Sequence, residues 1–427
     1  MRQQSYERAP KPDACDTQQE VPQRLSAETD SNSYATLRSL YTSWLPHLHP
    51  DENPDLSTQD LDFDAGLGDP LTLCVKLTAF FSRAAFFSSS SRRSTIANNE
   101  PFPIQRALYL YKLSAIQMIR SRLSENPQSP DQNIFLGIVT LAGCEFMANN
   151  PEEGRLHLEA CLEIAHARGG LCTLSSLELE LVCLAEFDIA ALLGKAPCAP
   201  LQEMEAAVYS NISKERIVPA WAESDLAKLD CLCTEEASQT RQGLACLLQS
   251  THGLNGSKSS KSRARSQDNL VLRGLFAGFL LCSNQPYTTP LYLTEDIGLY
   301  EPLRVAGMLV VAATCLKNTP KDHLLDRLTT DLALQLQLMP LPFYGPRPVA
   351  SAMLWIYFVG AHGSPAPQKR LFFQQGVAHV ARLMGLETWE EVREQLRRFP
   401  YVDGEFDGPC EEIWNSAMIL SSLTARP

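Results

Sequence analysis

Cysteine and histidine are the side chains in this sequence that could bind a metal or act as nucleophiles, and the chain has 13 cysteines and 8 histidines. A structural zinc site needs closely paired ligands such as Cys-x-x-Cys, and no such cysteine pair occurs. Only one residue separates Cys231 from Cys233, and the sequence has no second cysteine pair that could complete a four-ligand site with them. We therefore expect these thiols to pack as small apolar side chains, and we predict no metal site and no cofactor.

Two histidine pairs could be considered as metal ligands. His157 and His166 lie nine residues apart in one expected helix. At about 100° per residue they face opposite sides, which excludes joint binding of one metal ion. His47 and His49 flank Leu48 between prolines, with no cysteine nearby. We interpret all four as structural histidines.

A nucleophile hypothesis rests on Cys410, which follows Gly408 and Pro409 where a helix is expected to start. A helix N-terminus can lower the pKa of a thiol, and His379 or His362 could then serve as the base. The chain would in that case be a helical enzyme with a dispersed active site.

Common catalytic motifs are nevertheless missing from the sequence. It contains no Gly-x-x-x-x-Gly-Lys-Ser/Thr, Gly-x-Gly-x-x-Gly, Gly-x-Ser-x-Gly or His-Glu-x-x-His. The glycines of Ala65-Gly66-Leu67-Gly68 lack a preceding strand and are typical of a turn. We predict that the chain is not an enzyme and has no catalytic residues.

The charge balance is acidic, with 37 basic and 49 acidic residues, a net charge of −12 and a pI near 5.2. This balance disfavours a protein that mainly neutralises phosphates. Lys258, Lys261, Arg263 and Arg265 form the only notable basic cluster. It is either a nuclear-import or phosphate-contacting segment or a solvated serine-rich loop. No aromatic residue lies within it, so single-stranded nucleic acid is not expected to stack there.

The sequence also limits where the chain can reside. Its longest uncharged apolar stretches, Val305–Leu316 and Val349–Ala361, are shorter than the ~20 residues of a membrane span. The N-terminal residues lack the apolar segment of a signal peptide. The irregular, odd-numbered cysteines favour a reducing compartment. We expect a soluble protein without a membrane partner.

Helical patterns dominate the elements that must position these side chains. Residues 1–33 are polar and are predicted to be disordered, and a short helix is expected near Ala35. From Asp69 onward the apolar spacing is helical. We predict an all-α bundle of antiparallel helices, with its halves at 34–251 and 269–427 joined by a flexible basic loop at 252–268.

Several helix ends can be predicted from capping residues. Ser129 with Gln132 and Thr388 with Glu391 form capping boxes. Gly169-Gly170 and Gly385 are expected to end helices, because glycine readily adopts the left-handed conformation. The last helix is predicted to run from about Pro409 to Leu423.

Four segments carry a resemblance to a known family. They are Ala107–Arg122; Gly154–Gly170, with His157 early and Arg168-Gly169-Gly170 at its end; Leu354–Gly360, leading to Met384–Trp389; and Phe399 with Asp403 and Trp414. In order and spacing they resemble the regulatory region of fungal zinc-cluster transcription factors, across roughly residues 100 to 420. The resemblance implies an all-α fold and a nuclear role in controlling transcription.

One departure from that family concerns DNA binding. DNA-binding members carry an N-terminal cluster of six cysteines, whereas the first 70 residues here contain only Cys15. Either this is a zinc-less relative that acts through partners, or the chain starts downstream of a missing exon. Direct DNA binding is therefore doubtful and its residues are unknown. The expected partners are co-regulators or a second copy, with a small-molecule effector or sensor role as an alternative.

Overall fold

Apolar periodicity from Asp69 onward predicts helices, and the computed structural model contains fourteen α-helices and no strand among the residues it describes. Those residues are 69–90, 104–126, 131–212, 221, 224–233, 237–256, 263–284, 299–316, 321–339 and 347–424. The helices are α1 (Pro70–Ser90), α2 (Ile104–Glu125), α3 (Gln132–Met147), α4 (Pro151–Ala167), α5 (Ser176–Leu193), α6 (Leu201–Asn211), α7 (Ser238–Gly256), α8 (Arg263–Ser283), α9 (Tyr300–Cys315), α10 (Asp322–Leu338), α11 (Arg347–Gly363), α12 (Pro367–Met384), α13 (Trp389–Leu396) and α14 (Asp403–Thr424).

The all-α prediction is confirmed for these residues, while the antiparallel order and the proposed domain boundaries stay predictions. Residues 1–33 and the short helix near Ala35 lie outside the described residues. Among the helices that are described, none has a stretch both long and apolar enough to cross a membrane. The chain divides into two compact units, residues 1–121 and residues 122–427.

In the first unit, α1 packs against the start of α2 through aromatic side chains. Leu77, Phe80 and Phe81 of α1 form a buried cluster with Ile104 and Ala107. The rings of Phe81 and Tyr111 stack with centroids 5.7 Å apart. The apolar spacing of α2 thus places one stripe of the helix on α1.

Capping residues in the second unit fix most helix ends where the sequence predicts them. Thr388 and Glu391 form a reciprocal capping box at α13, and Gly385 ends α12 in the left-handed conformation at φ +66°. Gly169 and Gly170 follow α4 with φ +110° and +99°.

The prediction that Ser129 caps the N-terminus of α3 is wrong. Helix α3 is capped by Asp131, whose carboxylate accepts the Ile134 N–H at 2.8 Å. The predicted cap, Ser129, lies outside the described residues.

The last helix begins earlier than predicted. Helix α14 starts at Asp403 and contains Pro409 in its interior. Its first turn is acidic, which suits the positive end of the helix dipole, and Arg397 pairs with Asp403 at 2.6 Å. The proline therefore lies within the helix and does not mark its start.

The expected loop at 252–268 is partly helical, since α7 extends to Gly256 and α8 begins at Arg263. Near the end of α7, the Asn255 side chain donates to the Tyr401 carbonyl at 2.9 Å and accepts the Asp403 N–H at 2.9 Å. It thereby caps α14, a role that the serine-rich composition did not indicate. The helices flanking residues 257–262, α7 and α8, pack against each other.

Helices α11 and α12 approach closely because each has a glycine facing an aromatic ring of the other. A Cβ added to Gly360 would collide with the Phe373 ring, and one added to Gly376 would collide with the Tyr357 ring. Beside this contact the buried Trp355 stacks on Phe399, with centroids 5.4 Å apart. The Trp355 indole N–H donates to the Pro400 carbonyl at 3.1 Å.

We expect Gly376→Ala to lower the free energy of unfolding by about 1–3 kcal/mol, because the new methyl group overpacks the α11–α12 contact. Urea unfolding followed by circular dichroism measures this change. Gly143→Ala in α3 is the matched control, since its Cβ would meet no atom within 4 Å. There the gain in helix propensity leaves stability unchanged or raises it by about 0.5–1 kcal/mol. Equal losses in both variants would contradict the packing argument.

Candidate functional site

A cavity of about 310 Å³ opens between α5, α8, α9 and α10 in the second unit. Its volume lies at the lower end of the range of small-molecule sites. Most of the lining surface is apolar, and charged or amide side chains interrupt it. The lining consists of Ala190, Ala191, Gly194, Lys195, Cys282, Asn284, Glu301, Arg304, Val305, Met308, Arg327, Leu328, Asp331, Leu334 and Gln335.

A buried ion pair forms one wall of the cavity. Arg304 and Glu301 lie one turn apart on α9 and join through two hydrogen bonds, one of them Nε to Oε2 at 2.7 Å. Arg304 also donates from Nη1 to the Leu281 carbonyl of α8 at 2.8 Å. Burial lowers the pKa of Arg304, but the hydrogen bonds and charge of Glu301 outweigh this effect and hold it above its usual value. Because Arg304 binds both Glu301 on its own helix and the Leu281 carbonyl of α8, it links α9 to α8.

Arg327 on α10 forms the opposite side and is held at the end of α5. Its Nη1 donates to the Leu192 carbonyl, and its Nε lies 3.6 Å from the Asp331 carboxylate. Gly194 caps α5 with φ +65°, and any Cβ there would collide with the Arg327 guanidinium. Burial raises the pKa of Asp331, and Arg327 counteracts this shift.

Arg327 also keeps unused donor capacity. Its Nη2 has no acceptor among the residues that the structure describes. A guanidinium held in place with free N–H groups is suited to a carboxylate or phosphate group.

Lys195, which pairs with Glu152 at 2.8 Å, and two amide side chains supply the remaining polarity of the lining. Gln335 lies eight residues after Arg327 on α10, and its Oε1 is buried without a hydrogen-bond partner in the described part of the chain. Asn284 donates to the Tyr300 hydroxyl at 2.6 Å and to the Thr240 hydroxyl at 3.1 Å. The Gln335 oxygen is thus a buried acceptor that lacks a hydrogen bond.

The segment that follows α5 is folded by a buried carboxylate. Glu186 accepts the backbone N–H groups of Cys198 and Ala199, each at 2.8 Å. Burial raises its pKa to about 7, against the lowering effect of those hydrogen bonds. Two residues on, Asp188 is buried with Oδ1 unbonded among the described residues, and burial raises its pKa well above the usual value. Glu186 thus positions Cys198 and Ala199, whereas Gly194 and Lys195 donate their backbone N–H groups to the Ala190 carbonyl at 2.8 and 3.2 Å.

The structure places the predicted nucleophile away from any activating setting. Cys410 lies buried in the interior of α14, where burial and the nearby Asp407 charge raise its thiol pKa to about 12. His379 is exposed on α12. The half-buried His362 packs its ring against Phe406, and burial, Lys321 and Arg370 lower its pKa to about 4. These groups do not form an activated thiol–imidazole pair.

The other candidate ligands are placed separately. His166 lies 2.9 Å from Glu203, whereas His157 lies 4.0 Å from Glu145, so the two histidines do face different partners. The prediction that Cys231 and Cys233 are core residues is wrong, because Cys233 is exposed and Cys231 is half-buried on a short 3-10 helix. No group of three metal-binding side chains occurs within the described ranges.

Other sequence candidates fall outside the described residues or their described side chains. His47, His49, Gly66, Gly68, Lys258 and Lys261 belong to the first set, and the side chains of Arg263 and Arg265 belong to the second. The two interpretations of the basic cluster therefore both stay predictions.

Sequence reasoning missed the cavity, although it contains two detectable pairs. Glu301 and Arg304 are spaced i,i+3, and Arg327 and Asp331 are spaced i,i+4. Such pairs are usual on exposed helix surfaces, so the spacing alone does not indicate a cavity. The apolar residues around Arg304 in α9 were a usable signal, because a charge in a buried helix needs a partner.

The comparisons with known proteins bear on the first part of the chain. Residues 77–192 match the family model described as the fungal specific transcription factor domain. The match spans α1 to α5 and includes the first two segments of the resemblance seen in the sequence. No curated protein and no solved structure matches the chain. The family match confirms the resemblance and supports a role in transcription regulation.

The stability contributed by Glu186 is expected to fall as the pH rises from about 4.5 to about 7. Its folded pKa is raised, so across this range the unfolded chain ionises Glu186 while the folded chain keeps it protonated. The nearby charges of Arg155 and Glu159 shift this pKa in opposite directions. The free energy of unfolding of Glu186→Gln, taken relative to that of the native chain, should therefore be higher at pH 8 than at pH 5.

Urea midpoints of both chains at the two pH values measure this difference. The comparison cancels the opposite trend from His362, whose lowered pKa makes stability rise with pH between about 4 and 6.5. Glu163→Gln, on an exposed position of α4, controls for the loss of one negative charge. A stability difference between Glu186→Gln and the native chain that does not change with pH would refute the assignment.

Proposed function

We propose that this protein regulates transcription in the nucleus, through a helical regulatory region that binds other proteins. The family match over residues 77–192 is the observation that carries the proposal. The segments resembling the same family at Leu354–Gly360 and Met384–Trp389 lie in α11 to α13, beyond the match. They support extending the regulatory region to the C-terminal helices. We propose that target promoters are then reached through protein partners.

The helical-enzyme alternative finds less support than a binding role. Its central group, Cys410, has a raised thiol pKa and lies in a helix interior, which opposes formation of a thiolate. We propose that the chain is not an enzyme. A sensor role, in contrast, is favoured by the cavity between α5, α8, α9 and α10.

A tethering assay tests the proposed regulatory role. Fused to a heterologous DNA-binding domain, the chain should raise or lower a reporter, because recruitment bypasses its own route to DNA. Trp355→Ala should abolish the effect, since it removes a buried side chain that stacks on Phe399 and typically costs about 3–5 kcal/mol. Leu177→Ala, at a site 56% exposed, is the control and should retain the effect.

A second experiment tests the proposed regulatory role with the intact chain in its source cells. A fluorescently tagged chain should accumulate in the nucleus, and deletion of the gene should change a defined set of transcripts. Exclusion from the nucleus together with an unchanged transcriptome would refute the proposal. A silent tethered reporter with a changed transcriptome would refute only the proposed recruitment of co-regulators.

A further inference from the structure

We infer that the cavity between α5, α8, α9 and α10 binds an elongated organic acid with an apolar body and a hydrogen-bond donor at its far end. The inference deepens the proposed function. Only the role of the acid as an effector rests on that function. Three observations carry it: a cation with unused donors, an acceptor without a partner, and apolar side chains between them.

Arg327 supplies the anchor for the carboxylate. The Leu192 carbonyl, the Asp331 carboxylate and the space left by Gly194 hold the guanidinium in place, while Nη2 has no acceptor among the described residues. Nη2 is the guanidinium atom that packs closest to Gly194, and a ligand carboxylate beside it would accept a charge-assisted hydrogen bond. The other arginine of the lining, Arg304, is already satisfied by Glu301 and the Leu281 carbonyl.

Gln335 selects for a donor at the far end. Its buried Oε1 lacks a partner in the described part of the chain, and a ligand hydroxyl would supply the missing hydrogen bond. Gln335 lies eight residues from Arg327, a rise of about 12 Å along α10. Val305, Met308 and Leu328 provide the apolar lining for the body of the ligand. The spacing favours an elongated acid over a compact one.

The test uses three matched probes and titration calorimetry on the purified full chain. The probes are 4-hydroxycinnamate, cinnamate, which lacks the donor, and 4-hydroxycinnamamide, which lacks the negative charge. We expect the amide to bind about tenfold more weakly than the hydroxy acid, as for the loss of a charge-assisted hydrogen bond. Cinnamate should bind about fivefold more weakly, as for the loss of a neutral one.

Variants assign each preference to its residue. Arg327→Gln should bind the acid and the amide equally. Gln335→Leu should bind cinnamate and its hydroxylated form equally. Its unfolding temperature should not fall, because Oε1 forms no hydrogen bond in the native chain.

Arg155→Gln is the matched control for Arg327→Gln. Arg155 also pairs with a carboxylate four residues on, Glu159, and donates to a carbonyl after α5, that of Ala196 at 3.2 Å, but it does not line the cavity. This variant should therefore keep the native affinity for 4-hydroxycinnamate.

Four results would overturn the inference. The first two concern the native chain: no binding at millimolar concentration, or equal affinity for the acid and the amide. The other two concern variants: a hydroxyl preference that survives in Gln335→Leu, or a loss of affinity for 4-hydroxycinnamate in Arg155→Gln as large as that in Arg327→Gln. None of these depends on transcription. Binding with a silent tethered reporter and an unchanged transcriptome refutes the proposed function alone, and an active reporter without binding refutes the site alone.

Discussion

Burial of α5 on nearly all sides is the constraint on which the second unit depends. The helix packs against α3, α4, α8 and α10, and twelve of its eighteen residues are buried. A helix enclosed in this way is expected to be apolar all round. The sequence nevertheless places Glu178, Glu186 and Asp188 among its buried positions. Each acid must be compensated, because an unpaired buried charge costs several kcal/mol.

The three acids are accommodated in different ways, and two of them organise the chain beyond the helix. Glu178 completes a capping box with Ser175 and pairs with Arg168 at 2.9 Å, so it defines where α5 begins. Glu186 binds two backbone N–H groups and folds the segment after the helix. Asp188 has an unbonded oxygen, and burial favours its protonated form. The polar residues of α5 therefore fix its two ends, while its apolar residues fix its neighbours.

Local signals in the sequence were sufficient to predict much of this fold. Thr388 with Glu391, Gly385 and the pair Gly169-Gly170 each act through hydrogen bonds or dihedral angles within a few residues. Their effect depends little on the rest of the chain, so the sequence pattern was adequate. The all-α class follows from the same helical spacing.

Non-local contacts could not be predicted in this way. Asn255 caps α14 from about 150 residues earlier in the sequence, and nothing near either position indicates the contact. Proline at position 409 favoured a helix start by its local preference, but the acidic first turn from Asp403 and its arginine partners determine the observed start. The cavity is a stronger case, because four helices contribute its lining and each contributes side chains that are ordinary in their own helix.

The position of the cavity relative to the family match bears on how a ligand could affect regulation. The matched segment ends at Leu192, and the carbonyl of that residue accepts a hydrogen bond from Arg327 of α10. Ala190 and Ala191 belong to the match, whereas the linings from α8, α9 and α10 lie beyond it. A ligand on Arg327 would thus act on the C-terminal end of α5, whose carbonyls carry the negative end of the helix dipole. Since α5 also packs on α3 and α4, a ligand that bound one placement of α5 more tightly than another would also bias the placement of those helices. Coupling requires such a difference in affinity between two states.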